Sequence, residues 1–255
     1  MIELSTLGLD KLSAKTHNGK IYVTAADSDS GTIEIQAHIR GYDASRQEAQ
    51  RAVDAVEIVT LVDGATQSLS WRWRDQRQRS NVSVSFEITL PGRMALAAET
   101  QNGELLVEGV RGRCDLKTEN GRVEVQGADG GLLAHSRNGA LEIETPASTV
   151  DLESQNGSVE AELLADGPVE GSIKTQNGGI RLRIGPLVDC QIHGKTLNGA
   201  LRCELPESGA AERKLLPGPK ELDATSGPGT GQLNVESQNG SIRIAPAELP
   251  ADAIR

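Results

Sequence analysis

Aromatic residues are scarce: the 255-residue chain has five, Tyr22, Tyr42, Trp71, Trp73 and Phe86. So few stacking rings argue against recognition of single-stranded nucleic acid. Basic residues are in deficit, 26 against 36 acidic, giving a net charge of −10 and excluding general affinity for phosphate backbones. No apolar run approaches the ~18 residues that a membrane-crossing helix needs. The three cysteines (Cys114, Cys190, Cys203) have no Cys-x-x-Cys spacing, so neither a disulfide framework nor a zinc site follows from them. No phosphate loop, His-Glu-x-x-His or Gly-x-Ser-x-Gly motif is present, which removes the commonest sequence signs of catalysis. Met1-Ile2-Glu3-Leu4 has neither the basic nor the apolar stretch of a signal peptide. The expected location is therefore the cell surface if a leader has been trimmed, and the cytoplasm otherwise.

What is abundant is repetition. Asn-Gly begins at Asn18, Asn102, Asn120, Asn138, Asn156, Asn177, Asn198 and Asn239, and Ser or Thr stands two residues before each Asn. From Asn102 onward the steps are 18, 18, 18, 21, 21 and 41 residues, the last close to two ordinary steps. Apolar columns keep the same register. Leu105 and Val107, Val123 and Val125, and Leu141 and Ile143 follow the motif, while Leu96 and Ala98, Cys114 and Leu116, and Leu132 and Ala134 precede it. This period of two marks strands with one buried face. The parity changes across the motif, which predicts a corner in the left-handed region that Asn and Gly tolerate.

Asn-Gly between strands is also a hairpin signal. A meander, however, would not return one motif once per period with a second, variable turn midway. One fixed and one variable corner describe a coil stacked on copies of itself. The expected fold class is all-β, a right-handed parallel β-helix (solenoid) with 18–21-residue rungs. In it the eight Asn residues form an inward structural ladder that passes hydrogen bonds along the axis.

The motif is absent from Ala25 to Pro91, where Thr32–Ile39 alternates as a strand. There Ser45-Arg46-Gln47-Glu48 reads as a capping box opening a short helix with Ala49, Ala52, Val53 and Val56 on one stripe. Residues 1–24 are thus a first rung-like segment. Residues 25–92 are an α+β cap with a small sheet of its own, since open solenoid ends need covering. The repeats occupy 93–246, and 247–255 is a tail. The Pro- and Gly-rich segment 207–230 is either a degenerate rung or a long loop.

A strand ending in Leu90-Pro91-Gly92, the recurring Ser/Thr-x-Asn-Gly-x-Val-x-Val pattern and the closing run Gly227 to Ile244 together resemble the bacterial DUF4097 family, also called the adhesin domain. The likeness spans roughly Leu12 to Ile244. It implies a β-helical fold, with no catalytic residues to carry over.

Outward positions supply the candidate sites. Glu124, Glu142, Glu144, Glu160 and Glu162 are expected to share one acidic face, followed along the rod by Arg181, Arg183 and Arg202. Stacked like charges are unfavourable unless neutralised, so the face reads as a Ca²⁺ site, a charge-polarised docking face or a solvated sheet. Trp71-Arg72-Trp73-Arg74, extended by Arg77 and Arg79, is a candidate binding strand, because Trp and Arg are typical interface anchors. Its alternative is a pair of rings covering the cap's core. The function expected is a non-catalytic, adhesin-like module offering repetitive surfaces to a protein or glycan, with no cofactor. The alternatives are a polysaccharide lyase or hydrolase and a self-assembling scaffold.

Overall fold

The computed structural model describes residues 1–26, 31–75, 81–205, 211–213 and 219–247. Among these the protein is all-β apart from one helix, Arg46–Asp54. Two long sheets are built mostly from parallel pairs, in a β-helix-like arrangement. Cys114–Thr118 lies beside Leu132–Ser136 with Leu116 opposite Ala134, an offset of one motif step. On the other sheet Val123–Gln126 lies beside Leu141–Thr145 with Val125 opposite Ile143. Each coil sends alternate side chains inward, so Leu116, Leu132, Val123 and Leu141 are fully buried. At the variable corner Val110, Ala128 and Ala147 close the core. We name each coil by its motif Asn.

The motif corner works differently from the left-handed turn expected of it. Among the described residues no motif glycine has a positive φ, and neither does any residue other than glycine. Positive φ occurs instead at the variable corner, as at Gly109 (68°) and Gly127 (68°). The motif glycines are needed for space. A Cβ on Gly121 would lie 1.7 Å from the carbonyl oxygen of Gly103, and one on Gly139 would lie 1.6 Å from that of Gly121. The Ser or Thr is the inward residue. Ser154, fully buried, donates its hydroxyl to Gly139 O at 3.0 Å, and Thr196 donates to Gly240 O at 2.8 Å. Each hydroxyl thus satisfies a carbonyl of the coil beneath, which a buried acceptor requires.

The Asn side chains point outward rather than inward: Asn18 is half-buried and the other seven are exposed. They nevertheless form one continuous chain of amide bonds. Asn102 donates Nδ2 to Asn18 Oδ1 at 2.8 Å, Asn120 to Asn102 at 2.8 Å, Asn138 to Asn120 at 2.6 Å and Asn156 to Asn138 at 2.8 Å. Then Asn177 donates to Asn156 at 2.8 Å, Asn239 to Asn177 at 2.8 Å and Asn198 to Asn239 at 2.9 Å.

That order differs from the chain order. The Asn239 coil (Gln232–Ser237 and Ile242–Pro246) lies between the Asn177 and Asn198 coils, pairing with both. The chain therefore leaves one level open, builds the Asn198 coil above it, and returns to fill the gap. On the way Lys220–Ser226 pairs antiparallel with Val188–Thr196, and Ala211–Arg213 pairs antiparallel with Lys220–Ser226. Residues 207–210 and 214–218 of the irregular segment, Pro206 before it, and 248–255 of the expected tail lie outside the described residues. Re-entry is fixed by Asp189, whose carboxylate accepts from the Thr230 hydroxyl, from Thr230 N at 2.9 Å and from Gly229 N. The Thr230 hydroxyl is the main reason its pKa is lowered, and the two backbone N–H groups add to it.

At the opposite end the strands of 32–91 join the two main sheets instead of forming a sheet of their own. Thr66–Trp73 runs parallel to Lys11–Thr16, and Val82–Pro91 parallel to Ile21–Ala26, so together they make a further coil without the motif. Val56–Asp63 then adds an antiparallel edge to one sheet, and Thr32–Gly41 followed by Ile2–Ser5 adds two antiparallel strands to the other. The helix packs on Thr32–Gly41, its Ser45 cap accepting from Glu48 N at 3.2 Å. Among the described residues no helix is long and apolar enough to cross a membrane.

Candidate functional site

The outer face of the sheet that carries Val123–Gln126 gathers the charged columns. The register places Leu106, Glu124, Glu142, Glu160, Arg181, Arg243 and Arg202 in one line, one residue per coil. Beside it run Gln126, Glu144, Glu162, Arg183 and Ala245. The line thus reads three glutamates, then three arginines. Arg243 was not visible as a neighbour of Arg181 in the sequence, because it arrives with the Asn239 coil. The step of 41 residues was the only sign that the coils between Asn177 and Asn239 are not simply consecutive.

Stacked like charges are relieved locally. Arg122 pairs with Glu142 and lies 3.2 Å from Glu124. Arg183 reaches Glu160 at 2.9 Å and Glu162 at 3.4 Å, and Arg181 lies 3.6 Å from Glu160. Arg243 pairs with Glu204 at 2.8 Å, whereas Arg202 has no ion-pair partner among the described residues. The arginine half borders a groove of about 570 Å³ whose lining includes Gly179, Ala200 and Ser241 together with Glu160, Arg181, Arg202 and Arg243. A smaller hollow of about 180 Å³ is lined by Glu124, Glu142, Glu144, Glu160 and Glu162 and also by Arg183. Among the described residues no three His, Cys, Asp or Glu side chains converge as metal ligands. Of the glutamates of the calcium expectation, Glu124, Glu142, Glu160 and Glu162 lie beside arginines, whereas Glu144 has no ion pair among the described residues.

The aromatic strand has a different geometry. Trp71 donates Nε1–H to the Thr16 hydroxyl at 3.2 Å, while Thr16 itself donates to Val84 O at 2.7 Å. Trp71 also meets Trp73 edge-on at 5.6 Å and His17 at 6.1 Å. Both indoles are half-buried against the core. Arg72, on the other side, bonds Glu57 at 2.8 Å, and that contact holds the Glu57 carboxyl below its usual range. Arg74 is exposed, and Arg77 and Arg79 lie outside the described residues. At the far end of the stack Lys220 Nζ donates to Gly199 O at 2.6 Å, taking the place of the hydroxyl a further coil would bring. Both ends of the motif's hydrogen-bond chain are therefore occupied.

Other reactive groups are scattered. His135 Nε2 lies 4.0 Å from Asp151, which accepts from the Ser172 hydroxyl at 2.8 Å. The carboxylate sits between imidazole and hydroxyl, whereas nucleophile activation needs the imidazole in the middle. His193 pairs with Asp223 at 2.7 Å on the surface. Burial pushes the Cys114 thiol up to about 12 and the Cys190 thiol to about 11, the pKa of inert core groups.

No protein-family model matches the chain, and no curated protein does. Membership in the DUF4097 family is therefore not established by these comparisons. Among solved structures, a "putative cell adhesion protein" from Clostridium sporogenes is 12% identical, with a TM-score of 0.38, covering 96% of this chain and 99% of that chain. A "putative adhesin" from Bacteroides fragilis is 14% identical, with a TM-score of 0.45, covering 95% of each chain. At these values neither likeness bears on what this chain does.

Proposed function

We propose that the chain is a non-catalytic, adhesin-like module that offers its charge-divided outer face to a protein or glycan partner. The observation that carries this reading is the run of six charged coils, Glu124, Glu142, Glu160, Arg181, Arg243 and Arg202, beside the arginine-lined groove. The side chains stand on a sheet whose corner is tied at every level by hydroxyl and amide bonds. A rigid display of this kind loses little freedom on binding. Complementary charge on a partner then sets specificity and encounter rate more than raw affinity. A surface location and a right-handed winding with 18–21-residue rungs accompany the reading. The test is binding to glycan and protein arrays by the parent and by a triple variant, Arg181→Ser, Arg202→Ser and Arg243→Ser, with thermal melting as the check on folding. Binding by the parent and its loss in the folded variant is expected. Binding that survives in the variant, or release of sugar or unsaturated product from polyuronates by the parent, refutes it.

A further inference from the structure

The occupant of this face can be named from its own charge order, an inference that rests on the face being the binding surface. We propose that the partner is a second copy of this chain, docked antiparallel through the same face.

A run of three negative and three positive positions is self-complementary when one copy is inverted. A two-fold axis along the strand direction, between the Glu160 and Arg181 coils, turns the face onto itself and reverses the stack. Self-complementarity of this kind is what an isologous contact requires. Glu160 then meets Arg181 of the other copy, Glu142 meets its Arg243, and Glu124 meets its Arg202. Each contact occurs twice. The axis leaves the neighbouring column opposite itself, so Glu162 meets Arg183 as well. Stacking the two copies in the same direction would instead set glutamate against glutamate and arginine against arginine.

Three further observations favour a copy of the chain in this orientation. The complementarity covers all six coils only because the Asn239 coil inserts Arg243 between Arg181 and Arg202. The ends of the stack present strand edges, such as Val56–Asp63 at one and Leu201–Cys203 at the other, rather than a charge-ordered sheet face. Finally, the intramolecular pairs that compete reach solvent, with side chains 44% and 43% accessible for Arg122 and Glu142, 60% and 45% for Arg243 and Glu204, and 42%, 35% and 23% for Arg183, Glu160 and Glu162 at the centre, so the outer pairs exchange partners more readily than the central ones.

Area limits the strength. Six coils at ~4.8 Å spacing and strands of about five residues give a face of roughly 24 by 17 Å, or about 800 Å² over both copies. That is below the ~1,200 Å² of stable complexes and within the range of transient ones. The contact is a weak, salt-sensitive dimer.

Sedimentation of the full chain over a concentration series tests this at about 0.1 M and about 1 M salt, where the screening length is ~10 Å and ~3 Å. A dimer is expected at the lower salt and a monomer at the higher. Glu124→Arg and Arg202→Glu, each alone, set like charges opposite each other twice, and each weakens self-association at least about tenfold. Mixed in equal amounts the two variants are complementary again, and association returns. The milder Glu124→Gln and Arg202→Gln, which weaken the dimer without repulsion, serve if a charge reversal perturbs folding. A monomer throughout at 0.1 M salt, swaps that associate like the parent, or a mixture that fails to recover each overturn the proposal. If the parent is monomeric yet binds an array ligand through its arginines, the homotypic partner falls and the binding face stands. If it does neither, both fall.

Discussion

Substituting Gly139 separates two explanations for the same Asn-Gly dipeptide. If the glycine were there for a left-handed backbone, Asn would replace it at little cost and Ala would be modestly strained. The structure assigns it to close approach instead. A Cβ at this position would sit 1.6 Å from Gly121 O and 2.8 Å from Ser136 Oγ, whereas contacts under 3.0 Å are essentially never seen. Relief requires the two coils to part by more than an ångström at a corner where Ser136 Oγ lies 3.2 Å from Gly121 O, Asn138 N lies 2.8 Å from Glu119 O and the Asn138 amide lies 2.6 Å from that of Asn120. Losing those three bonds at about 1 kcal/mol each gives a destabilisation of about 3 kcal/mol. For a chain of this size that corresponds to a melting temperature lower by roughly 6–12 °C. Gly139→Ala and Gly139→Asn should cost about the same, as read by circular dichroism melts. At the variable corner Gly131 has φ 95°, and a Cβ there would meet nothing within 4 Å; at that position Asn should be tolerated better than Ala. A Gly139→Asn protein melting with the parent would refute the close-approach account.

Two other perturbations probe the stack. Asn156 makes two ladder bonds and Asn18 one, so Asn156→Ala should cost about 1–3 kcal/mol and Asn18→Ala about half as much, given roughly 0.5–1.5 kcal/mol per bond; equal losses in denaturant titrations would deny the amide chain a stabilising role. Asp189 has a folded pKa lowered by the Thr230 hydroxyl and two backbone N–H groups, so its contribution is present above the unfolded carboxyl pKa of about 3.9 and is lost as pH falls through the lower folded value. The melting-temperature gap between parent and Asp189→Asn should therefore be steady from neutral pH down to about 4 and narrow below it, and a gap that stays constant into strong acid would remove the carboxylate from the account.

The strands were legible because their cause is local. Val123 and Val125, or Cys114 and Leu116, alternate with polar residues at the period of a half-buried strand, and the Ser45–Glu48 cap announces the one helix among the described residues. The order of the coils was not legible, since eight coils carry the same motif and any one of them can rest on any other. Nothing in the residues around Asn239 says that its neighbours are Asn177 and Asn198. The side on which the Asn ladder runs was hidden for a related reason. The parity change predicts a corner, but the same letters serve a left-handed turn or a close passage of two backbones, and only the distance between coils decides. Of the candidate face, the glutamates and Arg181 and Arg183 follow from strand register alone. Arg243 depends on a long-range pairing. The tryptophans' role depends on Thr16, whose sequence separation of 55 from Trp71 is beyond any local pattern.

The late arrival of Gln232–Pro246 at an inner level has a consequence for biosynthesis. A nascent chain that has emerged through residue 203 holds seven motif-bearing storeys but lacks the one destined for the seventh floor. The Asn198 storey, met first by the vacant Asn177 ledge, finds there the same hydroxyls and amides it will later find on Asn239. If the Asn198 storey settles there before residues 232–246 emerge, it has to part from the Asn177 storey again to admit them. The last coil of the chain is thus an inner level of the stack and not its end.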